Sequence, residues 1–166
     1  VAALKPRGVS TSGLNLSHLL VVGGSPSERL RVARAVHGES ALRLGPFVAL
    51  DCASEEPKLR EALRHWLRFA ARTNAPHPLW SAERGTLFLD AIGQLSADTQ
   101  QQLLSFASRD RSDSSGRESR CAGRLAVGCD EDPWDLVAHG LFLPQLADVL
   151  DKIRVDLDPR RQGGAA

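Results

Sequence analysis

An α/β domain with a five-stranded, mainly parallel sheet is predicted by three observations. Short apolar runs recur along the 166 residues, segments with helical spacing or helix-start signatures separate them, and no segment repeats.

The first run, Leu19-Leu20-Val21-Val22, ends at Gly23-Gly24 and suits a buried parallel strand entering a turn. Ser25-Pro26-Ser27-Glu28 then starts a helix, with Ser25 as the N-cap, Pro26 in the first helical position and Glu28 completing a capping box. The helix runs to about His37, and Gly38 ends it. Phe47-Val48-Ala49-Leu50 is the second strand. Ser54 is expected to cap a helix from about Pro57 to Arg72, whose inward face is Leu59, Ala62, Leu63, Trp66, Leu67 and Ala70.

Thr86-Leu87-Phe88-Leu89-Asp90 is the third strand, closed by Gly93, and Ser96 starts a helix to about Ala107 with Leu103, Leu104 and Phe106 turned inward. Residues 108–123, rich in Ser, Arg, Asp and Gly, read as an exposed loop. Leu125-Ala126-Val127 is the fourth strand, Pro133–His139 and Pro144–Leu150 are short helices, and residues 153–157 alternate as the fifth strand. Residues 1–17 read as a linker or arm, 18–160 as the core, and 161–166 as a frayed tail.

Charge and composition exclude several classes. With 21 basic against 20 acidic residues the net charge is +1, too small for a nucleic-acid binder that works by bulk charge. No apolar run approaches the ~18–20 residues of a membrane span, and Val1-Ala2-Ala3-Leu4-Lys5-Pro6 has no signal-peptide pattern. Cys52, Cys121 and Cys129 are odd in number and lack paired metal-ligand spacing, which favours reduced thiols in the cytoplasm. The five histidines stand apart from Cys and Glu at ligand spacing, so no metal site is expected. A chain without methionine reads as a segment of a longer protein.

Four segments in order carry a family resemblance: 23–37, Gly45-Pro46-Phe47-Val48-Ala49-Leu50-Asp51-Cys52-Ala53, Gly85-Thr86-Leu87-Phe88-Leu89-Asp90-Ala91-Ile92-Gly93, and 124–150. Together they resemble the sigma-54 interaction domain, the AAA+ core of bacterial enhancer-binding regulators. The resemblance covers about residues 19–160 and implies a three-layer P-loop NTPase-like core without the family's C-terminal helical lid. Members of that family hydrolyse ATP in a ring and remodel sigma-54 RNA polymerase.

The chain departs from the family where the chemistry lies. The family's phosphate loop, Gly-Glu-Ser-Gly-Thr-Gly-Lys-Glu, aligns with Gly23-Gly24-Ser25-Pro26-Ser27-Glu28-Arg29-Leu30. Pro26 removes an N–H, Glu28 puts a carboxylate where phosphate would approach, and Arg29 replaces the lysine. The helix start can be satisfied by the protein's own Ser25 and Glu28. Asp90 keeps the family's Mg²⁺-side aspartate, whereas Ala91 replaces the glutamate that polarises water and can neither accept a proton nor orient water. The family's finger arginines are Leu141 and Leu143, and its Ala-Thr-Asn sensor is Gly128-Cys129-Asp130. Its sigma-contacting Gly-Ala-Phe-Thr-Gly-Ala loop has no counterpart between Cys52 and Gly85.

Gly23, Gly24, Ser27, Arg29 and Asp90 therefore form a vestigial nucleotide site, read alternatively as a tight turn and a polar strand end, and no catalytic residue is expected. Arg60, Arg64, Arg68 and Arg72 recur every fourth residue and form either a partner-binding stripe or a solvated face. Leu141, Phe142 and Leu143 form either an exposed partner patch or part of the packing beneath the following helix. The expected function is that of a non-hydrolysing protein-interaction or regulatory module in a bacterial signalling or transcription regulator. Its expected partners are another protein and other domains of the same longer chain, with neither a membrane nor nucleic acid bound directly. No cofactor is expected, ATP and Mg²⁺ being disfavoured. The alternative is a weak ATP-binding domain that assembles with active relatives.

Overall fold

The computed structural model describes residues 17–69, 85–108 and 124–158. The elements are β1 (Leu19–Val22), α1 (Pro26–Gly38), β2 (Phe47–Asp51), α2 (Cys52–Phe69), β3 (Thr86–Asp90), α3 (Ala97–Ala107), β4 (Arg124–Cys129), α4 (Pro133–Ala138), α5 (Pro144–Leu150) and β5 (Ile153–Asp156). The strands form one sheet in the order β2-β3-β4-β1-β5, and every pairing is parallel. The strands that are central in space, β1, β3 and β4, are wholly buried. Their near-continuous apolar sequences follow from having both faces covered.

Strand alternation divides the core into two clusters. Leu19, Val21, Phe88 and Ala126 point to one face and pack with Ala33 and Val36 of α1. Leu20, Val22, Leu87, Leu89, Leu125 and Val127 point to the other, against Leu59, Leu63 and Trp66 of α2, Leu103 of α3 and Leu146 of α5. The expected three layers are present. Trp66 meets Phe106 edge to face at 4.9 Å between ring centres, closing the α2–α3 contact.

Several element ends differ from expectation. Gly38 is the last residue of α1, and Glu39 caps it in right-handed helical geometry, so no left-handed glycine terminates the helix. Helix α2 begins at Cys52, before Ser54, because the Asp51 carboxylate accepts from the Ala53 N–H at 3.0 Å and the Ser54 hydroxyl at 2.9 Å. A kink at Glu55 (φ −115°, ψ 16°) then lets Pro57 sit near the start of the regular helix, where its missing N–H costs little. β3 is closed by a one-turn 3₁₀ helix, Ile92–Gln94, entered through Ala91 at φ 55°. β5 stops at Asp156. The expected arm 1–17, apart from Ser17, lies outside the described residues, as do Ala70, Arg72, residues 109–123 and the tail.

Helix ends are tied to neighbouring elements. The Glu56 carboxylate on α2 accepts from the Ser96 N–H at 2.9 Å, from the Ser96 hydroxyl, and from the Thr99 hydroxyl at 2.7 Å, at the start of α3. Those bonds, led by the Ser96 hydroxyl, outweigh its desolvation and hold Glu56 below the ordinary glutamate range. At the sheet edge, Arg154 of β5 pairs with Asp132, Asp151 and Asp156, linking β5 to the N-cap of α4.

Candidate functional site

The site lies where β1, β3 and β4 end and α1 begins. Gly23 (φ 79°) and Gly24 (φ 65°) are consecutive left-handed residues, which turn the chain from β1 into α1. The capping box then forms as the sequence predicts. The Glu28 N–H donates to Ser25 Oγ at 3.3 Å, and the Ser25 N–H donates to Glu28 Oε2 at 2.7 Å. Bonding from Ser25, its backbone N–H foremost, holds the exposed Glu28 carboxylate below its ordinary value. An N–H at the start of the helix, which elsewhere serves an anion, is thus already bonded to a carboxylate of the same turn.

Arg29 points from α1 into the strand ends and is fully buried. Its Nε donates to Asp90 Oδ1 at 2.6 Å and its Nη2 to Asp90 Oδ2 at 3.0 Å, a two-point pair across α1 and β3. Nη1 donates to the Gly24 carbonyl at 2.8 Å, lies 3.3 Å from the Gly23 carbonyl, and pairs with Asp130 at 2.7 Å. Burial opposes the charge on Arg29. The bonds to Asp90, together with the charges of Asp90 and Asp130, outweigh it, so the guanidinium titrates above its ordinary range. Cys129, the residue before Asp130, is a buried thiol pushed up to about 11 by desolvation and is therefore no nucleophile near neutral pH.

Beside the pair, a cavity of about 530 Å³ opens between α1 and the β2 side of the sheet. Pro26 and Leu30 of α1, Ala49 of β2, Phe88 of β3 and Ala91 form its apolar walls. Asp51 and Asp130 stand at it as carboxylates.

Gly23, Gly24, Arg29 and Asp90 are thus brought together as the sequence suggests. Ser27 is exposed and lines the adjoining cavity, its hydroxyl 3.1 Å from Ser25 Oγ. Asp90 is the polar residue that ends β3, as the alternative reading has it. Its carboxylate is engaged by Arg29. Asp130 and Gly128 complete the site; the resemblance aligns both with the family's sensor stretch, and neither is among the expected site residues. The available signal is a glycine and an acid directly after the apolar run of β4.

The other candidates separate. Arg60 is half-buried, Arg64 and Arg68 are exposed, and Arg64 is bridged to Asp98 of α3 at 3.1 Å. Arg72 lies outside the described residues. The 141–143 patch is corrected. Phe142 is buried in the main core and Leu143 is half-buried at the N-cap of α5, leaving only Leu141 of the three exposed. Gln100 of α3 explains this conformation, its amide donating to the Leu141 carbonyl at 3.1 Å and accepting from the Leu143 N–H at 2.9 Å. Among the described residues no group of three or more His, Cys, Asp or Glu is placed to hold a metal, and no helix is long and apolar enough to cross a membrane.

The model of the Sigma-54 interaction domain matches residues 7–156. The DNA-binding transcriptional regulator NtrC of Rhizobium meliloti is 30% identical over 149 residues, covering 86% of this chain and 31% of the relative. The alginate biosynthesis regulator AlgB of Pseudomonas aeruginosa is 30% identical over 152 residues, covering 88% and 34%. The chain therefore spans about a third of the length of these relatives. In fold it is similar to the crystal structure of NtrX from Brucella abortus in complex with ATP, with a TM-score of 0.65 and 21% identity, covering 93% of this chain and 39% of that one. It is also similar to the P-loop NTPase domain of a sigma-54 activator from E. coli, with a TM-score of 0.53 and 18% identity, covering 82% and 94%.

Proposed function

Because the chain belongs to the sigma-54 interaction domain family, we propose that it is a non-hydrolysing member that serves as a protein-interaction module of a transcription regulator. The observation that carries this reading is the occupation of Arg29 by Asp90. The buried cation at the head of α1 and the carboxylate at the end of β3 neutralise each other. Neither is left for a phosphate or for its metal ion.

Two further observations support it. Ala91, directly after Asp90, carries no group that orients or deprotonates water. Leu141 and Leu143, where the resemblance places finger arginines, supply no charge to a transition state, and Leu143 is committed to the start of α5. Function then rests on surface contacts, with the exposed Arg64 and Arg68 of α2 as candidate contributors. The regulatory setting follows from the chain's relatives NtrC and AlgB, both transcriptional regulators.

A second reading, weak ATP binding without turnover in assemblies with active relatives, draws on the two left-handed glycines and the open cavity beside them. Calorimetric titration with ATP and ADP in the presence of Mg²⁺, paired with a steady-state phosphate-release assay, separates the readings. No heat and no release at millimolar nucleotide is the expected result. Saturable heat without release selects the second reading, and release that Asp90→Ala abolishes overturns both.

A further inference from the structure

Position 128 lies inside β4, a six-residue strand buried along its whole length and paired on both sides. A glycine there packs nothing and costs conformational entropy. Its backbone does not require it, since the left-handed glycines among the described residues are Gly23, Gly24 and Gly140. The reason for it is space. A Cβ at position 128 would lie 2.1 Å from Asp90 Oδ1 and 3.1 Å from both Cδ and Nε of Arg29. An alanine there requires the Arg29–Asp90 pair to shift.

We propose that Gly128 is the positioning residue of an internal lock, admitting the Arg29–Asp90 pair between β4 and α1 so that the pair holds the β1–α1 turn in place of a bound ligand. Arg29 reaches Asp90 on β3, Asp130 after β4, and the carbonyls of Gly23 and Gly24 in the turn. One guanidinium thus fastens the four segments that converge at the head of α1. In a turn that binds an anion, the ligand performs that fastening. Here the chain performs it for itself. The lock stands apart from whether ATP is hydrolysed.

The test uses the whole chain without nucleotide. The buried Arg29 Nε–H should give a resolved, slowly exchanging ¹H–¹⁵N signal, assigned by its disappearance in Arg29→Lys. Gly128→Ala should remove that signal and lower the unfolding temperature by roughly 5–15 °C, as expected for loss of a buried pair in a domain of this size. The same substitution in an Arg29→Ala/Asp90→Ala background, where the atoms it would strike are gone, should lower it by less than half as much. Two results would overturn the lock. One is a protected Nε–H that survives Gly128→Ala, and the other is an equal loss in both backgrounds. Should Gly128→Ala not fold, folding of the triple variant supports the proposal. If neither folds, absence of a protected Nε–H in the unaltered chain refutes it. Phosphate release by the unaltered chain would count against the proposed function and would leave the lock to be decided by the two-background comparison.

Discussion

Arg29 and Asp90, sixty-one positions apart, meet through two hydrogen bonds of 2.6 and 3.0 Å, with the guanidinium fully buried. The arrangement is consistent with the chemistry of both residues, since a planar guanidinium matches a carboxylate at two points and a lysine matches it at one.

Breaking the pair from one side should therefore cost more than removing it. Arg29→Met alone should destabilise the domain by about 3–5 kcal/mol, because it leaves the buried Asp90 carboxylate unpaired, and Asp90→Asn should cost less, because Asp130 and the Gly24 carbonyl still hold the guanidinium. Arg29→Met combined with Asp90→Asn should cost less than the sum of the two. Urea unfolding of the two single variants and the double variant measures the difference.

Acid should loosen the domain through Glu28 and Glu56. Both are held below the ordinary value of 4.5, Glu28 by its bonds to Ser25 and Glu56 chiefly by the Ser96 hydroxyl. For a carboxylate with a depressed folded value, the stabilising contribution is complete above the unfolded value and fades as pH falls through the folded one. Stability should hold from pH 7 to about 5 and decline below about 4.5. Glu56→Gln should flatten that decline in urea titrations at stepped pH.

Ala91 adopts φ 55°, a conformation that costs a residue with a Cβ about 1–2 kcal/mol. Ala91→Gly relieves that strain while adding unfolded-state entropy of about 0.4–1 kcal/mol. The expected outcome is unchanged or slightly raised stability, read as the thermal midpoint. A loss greater than about 1 kcal/mol would contradict the left-handed geometry.

Phe142 and Leu141 are neighbours with opposite fates. Phe142→Ala should cost about 3–5 kcal/mol, as for a buried aromatic ring. Leu141→Ser should lie within about 0.5 kcal/mol of the unaltered chain, because its side chain is exposed and its backbone carbonyl keeps the bond from Gln100. Calorimetric melting of both variants checks the assignment.

The strands and the head of α1 are legible in the sequence because they depend on local signals. Four-residue apolar runs report burial on two faces, and Ser25, Pro26 and Glu28 form a cap whose geometry is set within four residues. The start of α2 is not legible in this way. Asp51 and Ser54 are both capping residues, and the choice between them depends on where the parallel strand β2 releases the chain. At the site, the residue types are visible and their meeting is not. Arg29 reads as an altered phosphate ligand until β3 and β4 are known to end beside it, because that proximity is a property of strand order rather than of any window of sequence. Phe142 is hidden for the same reason. A Leu-Phe-Leu run looks like a patch until Gln100, on another helix, fixes which side chain turns inward.

A sheet whose pairings are all parallel has a consequence for how the chain is made. No strand can fold back on the one before it, since parallel neighbours require a crossover. β1 lies between β4 and β5, with Leu19 facing Ala126 on one side and Ile153 on the other. During synthesis, Leu19 to Val22 emerge early and have no strand to pair with until nearly the whole domain has left the ribosome. A nascent chain stalled before Arg124 would still present that apolar strand to chaperones.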